Sequence, residues 1–155
     1  MEKFIHKMIT FIDKTKKSAK QGDADAQCNL GVMYHKGFGT EQDDDQAFYW
    51  LKKSAEQGHA NAQFNLGWMY LEGFGTEQDD DQAFYWVKKS AEQGNAKAQF
   101  TLGLMYYKGN GTSIDKSKTA FWIKKAIENS NEEIKQMAKQ FWEENELWKY
   151  QTEDE

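Results

Sequence analysis

The chain has 155 residues, 39% of them apolar and 29% charged, with a formal net charge of -5 at pH 7. That is enough for one domain with its own core, and the acidic balance argues against a nucleic-acid surface. The single cysteine, Cys28, cannot close an internal disulfide, and no CxxC pair or cysteine and histidine cluster has the spacing of a zinc site, so no disulfide framework, metal or cofactor is expected.

Residues 3–20 place Phe4, Ile5, Met8, Phe11 and Ile12 on one side of a helix with lysines elsewhere. The opening stretch lacks both an uninterrupted apolar run and a small-residue cleavage site, and nowhere does the chain approach the roughly 18 apolar residues of a membrane span. The expectation is a cytoplasmic protein with neither a membrane nor a nucleic acid as partner.

Residues 37–58, GFGTEQDDDQAFYWLKKSAEQG, recur at 73–94 with one change, Leu51 to Val87, and a third copy follows at the same 36-residue period. The frame is 22–57, 58–93 and 94–129. The end of the first helix, KKSAKQG at 16–22, matches KKSAEQG at 52–58, so residues 1–21 read as the remnant of a preceding repeat serving as an N-terminal cap.

Each copy holds two helical stretches. The first spans about 24–36, with Ala26, Leu30, Met33 and Tyr34 at helical spacing and Gly37 where a left-handed cap belongs. The second runs from near Asp43 to near Gln57; Asp43, Asp79 and Asp115 stand at its N-cap, and Asp44 and Asp45 favour the positive end of its dipole. The mid-helix glycines Gly31, Gly67 and Gly103 each cost about 1 kcal/mol relative to alanine, which implies close approach of the paired helix, with Tyr49 and Trp50 as the neighbours. Past the third copy the pattern decays, with Ala138 and Lys139 where leucine and glycine are due. Residues 131–150 read as a C-terminal capping helix carrying Ile134, Met137, Phe141, Trp142 and Trp148, and the final QTEDE as disordered.

The motif AQxxLGxMYxxGxGTxxD followed by QAFYWxKKSAEQG resembles the Sel1-like repeat, a relative of the tetratricopeptide repeat, over about residues 22–130. Thr40 and Thr76, where that family usually has an aliphatic residue, and Thr119, Ile127 and Ser130 in the third copy depart from it. The resemblance implies an all-α fold, a right-handed α/α superhelix (solenoid) of antiparallel helix pairs whose first helices line a concave surface, and a role as an adaptor or scaffold for other proteins.

Comparison of the first two copies finds seven differences in 36 positions: 23/59, 25/61, 28/64, 32/68, 35/71, 36/72 and 51/87. Five of them form one stripe along the first helix, where the resemblance places the concave face. The stripe is Asp25, Cys28, Val32, His35 and Lys36 in copy one, Asn61, Phe64, Trp68, Leu71 and Glu72 in copy two, and Lys97, Phe100, Leu104, Tyr107 and Lys108 in copy three. Its aromatic floor and charged rim have the composition of a protein-binding hot spot. The competing reading is that these aromatics are core, or lie beneath a C-terminal helix that folds back.

Catalytic chemistry is thin. His6, His35 and His59 occupy unrelated positions, Cys28 is phenylalanine in both sister copies and has no evident base, and the aspartate run lacks the spacing of a calcium loop. The expectation is a non-catalytic module binding a partner protein or peptide. A sharper alternative is an acidic immunity or inhibitor protein against a basic toxin or enzyme, and a more remote one a hydrolase using His35 or Cys28.

Overall fold

The computed structural model describes residues 1–151. Its elements are α1 (Glu2–Lys20), α2 (Ala24–Lys36), α3 (Asp44–Glu56), α4 (Ala60–Glu72), α5 (Asp80–Glu92), α6 (Ala96–Lys108), α7 (Lys116–Asn129) and α8 (Glu132–Glu144), followed by a short 3-10 helix, Leu147–Tyr150. No strand occurs among the described residues. The expectation of disorder in QTEDE, 151–155, lies outside them beyond Gln151.

Local chemistry sets the helix ends. The Asp43, Asp79 and Asp115 carboxylates each accept a hydrogen bond at 2.9 Å, from the backbone N–H of Gln46, Gln82 and Lys118. The first helices of the copies are capped by three different residues at one register position: Asp23 accepts from Ala26 N–H at 2.7 Å, His59 Nδ1 from Ala62 at 3.2 Å and Asn95 from Ala98 at 3.0 Å. Each such cap contributes about 1 kcal/mol. Gly37, Gly73 and Gly109 close these helices at φ of 66°, 72° and 78°, a conformation that costs glycine least.

The chain divides into two compact units, Met1–Gln78 and the part from Asp79 onward. The division falls inside the second copy.

In the first unit α1 packs on α2, α2 on α3 and α3 on α4. A Cβ on Gly31 would lie 2.6 Å from Leu51 Cγ and 3.1 Å from the Ala47 carbonyl oxygen. The close neighbours of this glycine are therefore Ala47 and Leu51, not the expected Tyr49 and Trp50. Ala47 and Leu51 are four residues apart and share a helix face, while Tyr49 points away and is 48% exposed. Buried glutamines tie successive repeats together: Gln27 Nε2 donates to the Ala19 carbonyl at 3.1 Å while its Oε1 accepts from Gln57 at 2.6 Å, and Gln63 Nε2 donates to Ala55 at 3.2 Å. Each bond to a carbonyl adds a second donor to a group in the last turn of a helix, which also accepts from the backbone N–H of Gly22 or Gly58.

The second unit repeats these devices. Gly103 stands against Ile123, whose Cδ1 would be 2.7 Å from an added Cβ, and Gln99 Nε2 donates to Ala91 at 3.2 Å while its Oε1 accepts from Asn129 at 3.1 Å. Thr119, at the register position of Ala47, is fully buried, and its hydroxyl donates back to the Asp115 carbonyl at 2.8 Å.

The C-terminal segment departs from the continuous helix expected over 131–150. Asn145 caps α8 by donating to the Phe141 carbonyl at 2.9 Å, and Glu146 turns the chain at φ 48°. Leu147 can then enter a cluster with Ala120, Ile123, Ala126 and Ala138, where it is 1% exposed. Ala138 stands where the repeat carries leucine, and Leu147 fills the volume it leaves.

Candidate partner-binding site

The stripe on α2 and α4 opens into a cavity of about 310 Å³ in the first unit, lined by Val32, His35, Lys36, Leu51, Asn65, Trp68 and Met69. Four of these, Val32, His35, Lys36 and Trp68, are stripe residues legible in the sequence. Leu51 reaches the cavity from α3, and it is the one difference between copies one and two that lies outside the first helix and its cap; the signal was present in the pattern of differences. Asn65 and Met69 match Asn29 and Met33 in copy one and carry no such mark.

One side of the cavity is an aromatic cluster. The His35 ring meets Trp68 edge-on at 5.3 Å between centroids and Phe74 at 5.4 Å, and Trp68 lies 5.1 Å from Phe74. His35 Nδ1 is held 2.7 Å from an Asp44 carboxylate oxygen. Asp43 thus caps α3 while its neighbour Asp44 fixes the imidazole, which gives the start of the aspartate run a structural use in copy one. Trp68 remains 37% exposed, so its indole is both a wall of the cavity and accessible surface.

The other stripe residues meet different fates. Asp25, Lys36, Asn61 and Glu72 lie toward solvent and Phe64 and Leu71 are half-buried; the Asp25 carboxylate lies 2.8 Å from His59 Nε2. With Nδ1 accepting from Ala62 and Nε2 facing a carboxylate, His59 sits as the Nε2-protonated tautomer. Cys28, a contact residue on the stripe reading, is only 5% exposed and belongs to the core. Burial first, and the charge of Asp25 second, push its thiol up from 9.0 to about 11. That leaves it protonated at neutral pH, the opposite of what a nucleophile needs. His35 lies two turns further along α2, roughly 10 Å away by helical rise.

In the second unit, Lys97 and Lys108 are exposed and Phe100, Leu104 and Tyr107 half-buried. Phe141 of α8 packs edge-on against Tyr107 at 5.2 Å and against Phe100 at 6.3 Å. For these two aromatics, expected on an open binding floor, the competing reading describes the structure: the C-terminal helix covers them. Among the described residues no cluster of three or more histidine, cysteine, aspartate or glutamate side chains could hold a metal ion, and no helix is long and apolar enough to cross a membrane.

Capped helix pairs, repeated in register and joined by buried glutamines, define an all-α helical-repeat protein of the solenoid class. The Sel1 repeat pattern matches residues 24–59, 60–95 and 96–131, each match opening on the first residue of α2, α4 or α6. The chain belongs to the Sel1 repeat family. No match is found among curated proteins.

Among solved structures, it is similar to a protective antigen present in uropathogenic Escherichia coli strains that displays an SLR fold, at 40% identity and TM-score 0.74, covering 77% of this chain and 26% of the antigen. The chain therefore spans about a quarter of that relative's length. It is also similar to a Sel1 repeat protein from Oxalobacter formigenes, at 38% identity and TM-score 0.72 over 82% of this chain and 96% of the other. Helicobacter pylori cysteine rich protein B shares the fold at 22% identity and TM-score 0.63, over 81% of this chain and 96% of that one.

Proposed function

We propose that the chain is a non-catalytic module that binds a partner protein or peptide, with the first-unit cavity seating one apolar side chain of that partner. The observation that carries this reading is convergence. Five of the seven cavity-lining residues, Val32, His35, Lys36, Leu51 and Trp68, occupy positions that differ between two otherwise near-identical copies. Residues that only filled equivalent core slots would be held to equivalent volumes, and valine and tryptophan are far from that. Apolar walls beside a half-exposed indole, with the Lys36 ammonium at the rim, suit an apolar anchor next to an acidic or polar group.

The test is affinity capture from the native host, followed by titration of the captured partner with purified variants. Trp68→Ala is expected to weaken binding by about 2 kcal/mol, near thirtyfold, at unchanged helicity, and Val32→Trp to weaken it by filling the cavity rather than emptying it. Equal affinity of both variants and wild type would remove the cavity from the binding site.

The acidic charge supports a narrower form of this reading, in which the partner is a basic protein or toxin held by an inhibitor or immunity protein. Outside α1 the imbalance is larger than the net charge suggests: residues 1–20 hold six lysines against two acids, or +4, so residues 21–155 carry -5 minus +4, or -9. A basic partner would be steered by that field. Association rates that fall steeply with added salt are the expected result, and rates indifferent to salt would exclude it.

A further inference from the structure

Helix α1 is the basic exception in an acidic chain. Its C-terminal half behaves like the second helices of the other copies: Ile12, Thr15 and Ala19 are buried. In the repeat register α3 begins at Asp44, equivalent to Met8, so α1 extends six residues further toward its N-terminus than α3 does. This overhang and the turn after it expose Phe4 (67%), Ile5 (51%), Ile9 (53%) and Phe11 (53%). At 100° per residue these side chains fall within one arc of about 160°, the overhanging continuation of the face that further along α1 buries Ile12, Thr15 and Ala19; Lys3, Lys7, Lys14 and Lys17 occupy the opposite side, and Lys16, beyond the overhang, falls within the arc. Lys7 and Lys14 each stand three residues beyond an exposed phenylalanine, where their stems can lie along apolar surface while the ammonium groups reach anionic groups.

We infer that α1 is an interfacial helix that lays its Phe4, Ile5, Ile9 and Phe11 face into an anionic lipid bilayer surface, with its lysines among the headgroups. Charge decides the occupant. The partner must accept an apolar arc and neutralise a local +4 in the same plane, and a bilayer with anionic headgroups offers both. A second α1 in an antiparallel pair would match the apolar arc but bring another +4 alongside. The acidic runs at 43–45 and 79–81 of a second copy would match the charge but not the apolar arc. Lying on a membrane differs physically from spanning one, so the absence of a spanning helix among the described residues bears only on the second. The inference is independent of the first-unit cavity.

The experiment is co-sedimentation of the full chain with vesicles of phosphatidylglycerol and, separately, of phosphatidylcholine, at low and at physiological salt. Binding to phosphatidylglycerol vesicles, at least tenfold weaker to phosphatidylcholine and weakened by salt, is expected. Phe4→Ser with Ile9→Ser should reduce binding at least tenfold, and Lys7→Gln with Lys14→Gln about as much. These side chains are largely exposed, and circular dichroism of each variant checks that the fold is kept. Failure to bind phosphatidylglycerol vesicles, or equal binding by the Phe4→Ser, Ile9→Ser variant, would overturn the inference. So would a concentration-dependent dimer that the same variant abolishes while vesicle binding is absent, which would assign the face to a second copy.

Discussion

The stripe on the first helix of copy one and the equivalent stripe in copy three begin from the same register and end in opposite conditions. In copy one, Val32, His35 and Lys36 border an open cavity; in copy three, Phe100 and Tyr107 lie against Phe141 of the C-terminal helix. A repeat position is therefore not in itself a binding position. The segment that packs onto a copy from further along the chain decides whether its variable face stays open.

The largest effect is expected from removing what holds the cover down. Leu147→Ala empties a site that is 1% exposed and should cost about 3 kcal/mol, read as a lowered urea midpoint; near-wild-type stability would mean that the 3-10 helix does not fasten α8. Phe141→Ala should cost about 2 kcal/mol, because the ring is only half-buried, while Trp68→Ala at the open stripe should cost about 1 kcal/mol in stability. A reversed order would place Trp68 in the core and Phe141 on the surface.

Cys28 tests the buried end of the open stripe. Its thiol is raised from 9.0 to about 11 in the folded chain, so folding favours the protonated form. The associated stability is fully present below pH 9 and is lost as pH rises toward 11. Urea midpoints at pH 8 and pH 10.5 should therefore diverge more for wild type than for Cys28→Ala; equal divergence would show a thiol as solvated in the folded chain as in the unfolded one. The smallest effect is at the copy-specific cap. His59→Ala should cost about 1 kcal/mol, whereas His59→Asn, which installs the residue that copy three uses, should cost a few tenths. An equal loss from both would shift the weight from the cap to the Asp25 contact.

Much of the fold is legible in the sequence because its determinants are short-range. A carboxylate at an N-cap reaches an N–H three residues on, a glycine closes a helix at its own φ, and a 36-residue period repeats both. The mid-helix glycines signal close approach, but they do not name the neighbours: Ala47 and Leu51 fill the role expected of Tyr49 and Trp50, since proximity along the chain says little about which side chain faces the partner helix. Likewise 131–150 reads as one helix because its composition favours one. The break at Asn145 and Glu146 is decided by the small Ala138 and the space that Leu147 fills.

The candidate site divides along the same line. The pattern of residues alone shows which positions vary between copies, that they form one helical stripe, and that Leu51 varies with them. The inward turn of Cys28, the covering of Phe100 and Tyr107 by a helix some 30 residues further on, and the accessibility of Trp68 beside a cavity emerge only once the helices are packed. Caps and periodicity act within a turn or two of helix, whereas exposure depends on everything that packs against a side chain from elsewhere in the chain.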